Sequence, residues 1–438
     1  MAQYRKDKHE YLGDGKTLFE TVMLADQYGN LVGAANPTGM AIDAFGRARS
    51  SNPFTIFDSQ HRYQDNGKIN QANSATGATV SHNGNAGLIE CTLDTTSGSF
   101  VYRESSRVFN YQPGKSLLIL QTYIMSPKKA NLRQRYGYFN TENGVFLEID
   151  GTGAPTWVER SKSSGSVTET KVPQSQWNID KLDGTGPSRL TLDMTKAQIQ
   201  FTDIEWLGLG TVRVGFVING QFIHCHSFHH ANIITSTYMT TACLPVRAEI
   251  ENTGATASSS TLKIVCTSVI SEGGFEPRGI PRTVSIPVTA PKDIPTAGTF
   301  VPIMSIRLKD TFADAVVYLR SFSFFGVTNN TSYRWKLIQG PALTGASWVS
   351  AGADSPIEYD LTATALTGGR DFKVEYVNVS SGSGAAVSDI GAADAYRYQL
   401  ERNSFAASDR GVIFTLAATG AANGDDAVAA IQWEEVVT

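Results

Sequence analysis

Four of the chain's seven histidines stand close together, at His224, His226, His229 and His230. No other group of side chains here has types and spacing better suited to chemistry. Two histidines at i and i+2 of a strand point the same way, so His224 and His226 are placed to share a Zn²⁺ or Ni²⁺ ion, with His229 or His230 approaching from the following loop. A catalytic zinc site also needs a carboxylate and an open position, and no carboxylate lies nearby in sequence. An imidazole is half apolar and carries two hydrogen-bonding nitrogens, so packing is the favoured reading. Arg213, Phe222, His224, His226, Phe228, His229 and His230 are predicted to form a packed or subunit-facing surface. No metal and no cofactor is expected.

Carboxylate chemistry has weaker support. Asp180, Asp183, Glu148 and Glu159 could pair as a glycosidase acid and base, but a chain with 41 acidic residues offers many such pairs. Asp150-Gly151-Thr152-Gly153 and Asp183-Gly184-Thr185-Gly186 echo each other. Asp-Gly is first a turn former, and one Asp per turn falls far short of the roughly six to eight oxygens that Ca²⁺ takes. There is no G-x-S-x-G, P-loop or H-E-x-x-H. Gly208-Leu209-Gly210 begins like a dinucleotide fingerprint, but a strand follows it where a helix is needed. The chain is not expected to be an enzyme.

The histidines are positioned by a hairpin. Asn219-Gly220 lies between two runs of β-branched and aromatic residues, the pattern of a two-residue turn with positive φ at both positions. The pairing follows: Ile218 with Gln221, Val217 with Phe222, Phe216 with Ile223, and Gly215 with His224. Continued without interruption, it puts Val212, Val214, Phe216, Ile218, Ile223 and Cys225 on one face. Arg213, Val217, Phe222, His224, His226 and Phe228 fall on the other.

Around that hairpin the chain reads as strand after strand. Val145, Leu147 and Ile149 alternate with Phe146 and Glu148, and Tyr333, Trp335 and Leu337 with Arg334 and Lys336. Phe372, Val374 and Tyr376 read as a further apolar face. No amphipathic helix of useful length intervenes, which excludes a doubly wound α/β fold. The 438 residues, with 40 glycines and 18% charged residues, are predicted to form an all-β protein: two antiparallel jelly-roll or lectin-like β-sandwiches with an extended N-terminal arm. The sandwiches are assigned to 51–275 and 301–438. Five prolines between 277 and 295 mark 276–300 as a stiff connector. Residues 1–50 form the arm, read as a short hairpin around 21–32 or a helix opening at Thr17. Its Leu18, Phe19, Val22, Met23 and Leu24 are too few for a core, and burial against a partner is their natural outlet.

The formal charge of −4 gives no reason to expect nucleic acid, which needs a basic stripe. No apolar run approaches the length of a membrane helix, so no membrane insertion is expected. The charged N-terminus lacks a signal-peptide core. Cys91, Cys225, Cys243 and Cys266 form no C-x-x-C and read as buried thiols of a chain folded in a reducing cytoplasm.

Residues 34–63, 103–139, 158–188, 203–232, 238–254, 331–369 and 427–436 carry a resemblance. Among them are RESSRVFNYQPGKSLLILQTYIMSPKKANLRQRYGYF and DIEWLGLGTVRVGFVINGQFIHCHSFHHAN. In these segments, spread over nearly the whole chain, it resembles virion structural proteins of tailed bacteriophages, those of marine and cyanobacterial phages in particular. The resemblance implies a non-catalytic virion component (neck, head decoration, baseplate or fibre) made in the host cytoplasm. It would assemble with other virion proteins through symmetric contacts, a homotrimer being favoured. The alternative is an appendage that binds host-surface glycan, or a polysaccharide depolymerase.

Overall fold

Alternation of apolar and polar residues builds antiparallel strands throughout the protein. The computed structural model describes residues 52–437 apart from 66–67, 277, 313, 381–384, 390–394 and 404–410. The arm, residues 1–50, and its expected hairpin or helix lie outside the described residues. Twenty-eight strands and three short 3₁₀ turns make up the described secondary structure. None of its helices is long and apolar enough to cross a membrane.

Residues 54–271 supply two sheets. The first runs β13 (Gln221–Phe228), β12 (Val212–Ile218), β11 (Gln198–Ile204), β6 (Leu117–Ile124), β15 (Ser260–Ser271), β4 (Leu88–Leu93), β3 (Ala78–Asn83), with β1 (Phe54–Gln60) also paired to β15. The second runs β10 (Thr168–Pro173), β9 (Thr156–Ser161), β8 (Gly144–Ile149), β7 (Leu132–Phe139), β14 (Val246–Asn252), β5 (Phe100–Ser105), β2 (Ile69–Asn73). Ile119, Tyr123, Val214 and Phe216 of the first sheet share one core with Tyr136, Leu147, Trp157 and Ile250 of the second. These are the inward positions of strands whose alternate residues face away.

Residues 280–437 supply the rest. One sheet runs β16 (Ile280–Ser285), β28 (Asp425–Val437), β19 (Val316–Gly326), β26 (Ala385–Asp389), with β17 (Lys292–Ile294) on β28. Its partner runs β22 (Val349–Ser350), β23 (Ile357–Asp360), β18 (Val301–Leu308), β27 (Phe414–Gly420), β20 (Thr331–Gln339), β25 (Arg370–Val379). The short strands β21 (Ala342–Thr344) and β24 (Ala365–Thr367) pair with each other. Tyr333, Trp335, Leu337, Leu416, Ile431 and Trp433 centre this second core.

Two local features depart from the pattern of the sequence. The proline-rich stretch is extended, but β16 and β17 within it pair with β28. Pro281 sits in β16 at the sheet's edge, where a missing N–H costs no ladder bond. On β25, Val374 and Tyr376 are exposed, whereas Lys373 and Glu375 oppose Leu337 and Trp335. Their ion pair lies on that side, with the Lys373 ammonium 6.0 Å from the Trp335 ring centre. Register with the neighbouring strand, not side-chain hydrophobicity, sets the face of this edge strand.

The two pairs of sheets are bonded through buried groups. Val316 and Tyr318 of β19 belong to the first core, and Phe275 meets Tyr318 edge to face at 5.7 Å. Arg402 donates its backbone N–H to Ser106 O and its guanidinium to Glu104, which also holds Arg247. Gln399 donates to Val108 O, and Arg107 pairs with Glu401 at 2.8 Å. Glu104, Arg247 and Arg402 are all nearly inaccessible to solvent.

Candidate functional site

The histidine hairpin forms as its turn demands. Asn219 and Gly220 adopt φ of 54° and 76°, and Ile218–Gln221, Val217–Phe222, Phe216–Ile223 and Gly215–His224 are paired. Beyond Gly215 the ladder slips. Val214 opposes His226, leaving Cys225 as the extra residue of a bulge. Gly215 permits it: a Cβ there would lie 2.0 Å from Ile223 O and 2.7 Å from the Phe201 ring. The slip exchanges the faces of everything downstream. His226 and Phe228 therefore turn inward opposite Val214 and Val212, and Phe228 joins the first core. The uninterrupted face Phe222-His224-His226-Phe228 does not exist. Of the seven residues assigned to one surface, His226, Phe228 and His230 are buried within the chain, while Arg213, Phe222 and His229 are exposed and His224 is half-buried.

Each imidazole has its own partners. His226 Nδ1 accepts the backbone N–H of Asn178 at 3.2 Å and its ring meets Phe228 edge to face. That bond needs a bare nitrogen, and burial, then the neighbouring His224 and His229, depress its pKa to about 4. His224 donates Nε2–H to His226 O, with Ser227 Oγ at 2.9 Å, and burial also lowers its pKa. His229 meets Thr211 Oγ1. His230 is the opposite case. Its Nδ1 faces Gly210 O and its Nε2 faces Glu159 Oε2 at 2.9 Å, so both nitrogens meet acceptors. Burial works against the charged ring, but Glu159 and the Gly210 carbonyl outweigh it and the pKa is raised. The ring also stacks on Tyr238, 3.9 Å away and nearly parallel. Among the described residues no three or more His, Cys, Asp or Glu side chains come together as a ligand set.

The acids singled out by sequence are likewise committed to partners. Glu148 takes Arg135 and Lys171, and Glu159 takes His230. Asp180 accepts the N–H groups of Leu182 and Ser188. Asp150 and Asp183 each accept from the Thr two residues on, closing the turns that Asp-Gly predicts. On the same sheet face as Glu148, Arg135 and Arg160 lie over the Phe146 ring at 5.3 and 4.9 Å. All four cysteines are free, with Cys91, Cys225 and Cys243 buried.

A cleft of about 700 Å³ is the site the sequence did not reveal. Its wall is drawn from residues 110–113, 115, 206, 240–243, 276, 278 and 436, which no local motif connects. Trp206 stands edge to face on Tyr111 at 5.8 Å and donates its indole N–H to Met239 O. The next residue, Leu207, holds a φ of 40°, a strained conformation for a side chain of this kind. Tyr111 Oη accepts its N–H at 3.2 Å. Tyr238 N–H bonds Gly208 O, and His230 bonds Gly210 O, so the loop is tied at three successive points. Asn110, also in the wall, is 2% exposed, and its amide nitrogen has no hydrogen-bond partner among the described residues. The legible signal was Trp206-Leu207-Gly208-Leu209-Gly210 itself, large apolar residues next to glycines just before a strand.

No family model and no curated protein matches the chain. Among solved structures it is similar to the carbohydrate recognition domain of Emp47p, at 11% identity and a TM-score of 0.31, over 52% of this chain and 100% of that one. It is similar to the CBM2 module of the evolved Dit of Lactobacillus casei BL23 phage J-1, at 5% identity and a TM-score of 0.33, over 52% and 100%. A glycosyl hydrolase family protein from Mycobacterium fortuitum is also similar, at 10% identity and a TM-score of 0.32, over 51% and 100%. These likenesses concern the β-sandwich fold alone.

Proposed function

We propose that this chain is a non-catalytic structural component of a tailed-phage particle. It joins other virion proteins and copies of itself, with a trimer favoured, after synthesis in the host cytoplasm. The buried join between the sheet pairs carries the proposal. Arg402, Glu104 and Arg247 couple them where solvent does not reach, which suits a chain that transmits position between neighbours more than one that opens and closes on a substrate. The sequence resemblance to virion proteins points the same way. The outer surface of the β12–β13 hairpin, with Arg213, Phe222, His224 and His229, is the proposed subunit contact. The arm, residues 1–50, is the proposed assembly element. Sedimentation of particles through a density gradient, followed by quantitative mass spectrometry, tests this. The chain should travel with the particles in a fixed multiple-copy ratio, and its absence from them would overturn the reading. Deleting residues 1–50 should leave the remainder folded but outside the particle.

A second reading, an appendage that binds host-surface glycan, is favoured by one observation: the cleft beside Trp206 combines aromatic rings with a buried, unpartnered amide. The two readings are compatible, since a structural appendage can also contact the host.

A further inference from the structure

We infer that the Trp206 cleft is a saccharide site that takes the pyranose rings of a surface glycan. The inference rests on the glycan-binding reading above and assigns it to particular residues.

The size is right: about 700 Å³ falls within the roughly 300–1,000 Å³ of small-molecule sites. The chemistry of the wall is selective. A pyranose has an apolar face of C–H groups, slightly positive, and a rim of hydroxyls. The face of an indole or phenol ring is slightly negative and apolar, and accepts such a C–H face. Trp206 spends its N–H on Met239 O, so what it has left to offer is the ring. Around it stand groups able to bond hydroxyls. Thr240 and Thr241 accept bonds from Asn143 and Cys243 through their oxygens, which leaves each hydroxyl hydrogen to donate. Asn110 carries a donor with no acceptor among the described residues, and a buried donor left unmatched costs about 1–3 kcal/mol. The nitrogen is shut off from solvent, so a ligand oxygen removes that cost once the side chain turns toward the cleft. A purely apolar ligand would waste these groups. A compact phosphate would have no use for the ring, and Glu276 stands beside Arg278 at 2.8 Å on the rim.

The site is also fixed in advance. Leu207 keeps its strained φ because Tyr111, Tyr238 and His230 hold successive points of the loop. Little ordering is then left to be done when a ligand arrives.

The test uses the full chain and a panel of methyl glycosides of glucose, galactose, N-acetylglucosamine and glucuronic acid, with their di- and trisaccharides. Saturation-transfer NMR detects binding and calorimetry measures it. At least one member should bind. Trp206→Ala should weaken that binding by roughly tenfold or more, the scale of a stacked-ring contact, and Trp206→Phe should recover most of it. Asn110→Leu should weaken it by about threefold to tenfold, the worth of one hydrogen bond. Tyr376→Ala, at an exposed aromatic outside the cleft, should change nothing. If Trp206→Ala fails to fold, Asn110→Leu decides. Binding that survives both substitutions overturns the assignment of the cleft while leaving the glycan reading intact. A panel in which nothing binds the folded chain overturns both.

Discussion

The β12–β13 hairpin and the Trp206 cleft are both rich in polar and aromatic side chains, yet one is closed and the other open. Along the hairpin and the loop after it, His226 accepts from Asn178, His224 donates to the backbone, and His230 lies between Glu159 and Gly210. These groups are used in holding the chain together. Around the cleft, which Trp206 of a strained loop also lines, Asn110 has a buried amide nitrogen with no partner among the described residues. A cluster of reactive side-chain types is thus a poor guide to function when each has a partner in the fold. Groups the fold leaves unsatisfied are the better guide.

Breaking a closed network should cost most. Glu104→Gln removes a buried carboxylate charge shared by Arg247 and Arg402, and a loss of about 3–5 kcal/mol in denaturant unfolding is expected. A cost below about 1 kcal/mol would mean the join is not as closed as its geometry. His230→Ala comes next, at about 2 kcal/mol, because it forfeits charge-assisted bonds to Glu159 and Gly210. The sign of its pH dependence follows from a raised pKa. The contribution is complete below the unfolded value of about 6.5 and fades as pH rises through the folded value. Melting temperatures of the two proteins should therefore differ most in mild acid and converge at higher pH.

His226 should behave in the reverse sense. With a folded pKa of about 4 against about 6.5 unfolded, its contribution is intact above the unfolded value and is lost as pH falls toward 4. His226→Asn, which keeps an acceptor for Asn178, should flatten the decline in melting temperature over that window. An unchanged decline would contradict the depressed folded pKa that burial gives His226. The smallest effect belongs to the cleft. Asn110→Leu removes an unpartnered donor, so stability should stay within about 1 kcal/mol or rise slightly. A large loss would show that Asn110 is part of the closed structure after all.

What the sequence made legible was local. The Asn219–Gly220 turn and four residue pairs beside it follow from φ requirements and alternation. So do the inward faces of Val145, Leu147 and Ile149, and of Tyr333, Trp335 and Leu337. The bulge at Cys225 was not legible, since the need for a glycine at 215 arises only from Ile223 O and the Phe201 ring, which close in from other positions. One extra residue then moved His226 and Phe228 to the inner face. The cleft was less legible still: residues near 110, 206, 240, 276 and 436 meet only through the tertiary fold. Edge strands such as β25 mislead for a related reason, because Lys373 and Glu375 are placed by the register of β20.

A reconstruction of the intact virion, with this chain's density assigned, decides whether the chain is a structural part of a particle. Several copies related by a symmetry axis are expected, with the Arg213, Phe222, His224 and His229 surface turned toward a neighbouring subunit. A particle complete without this chain, or copies whose hairpin surface faces only solvent, would contradict it.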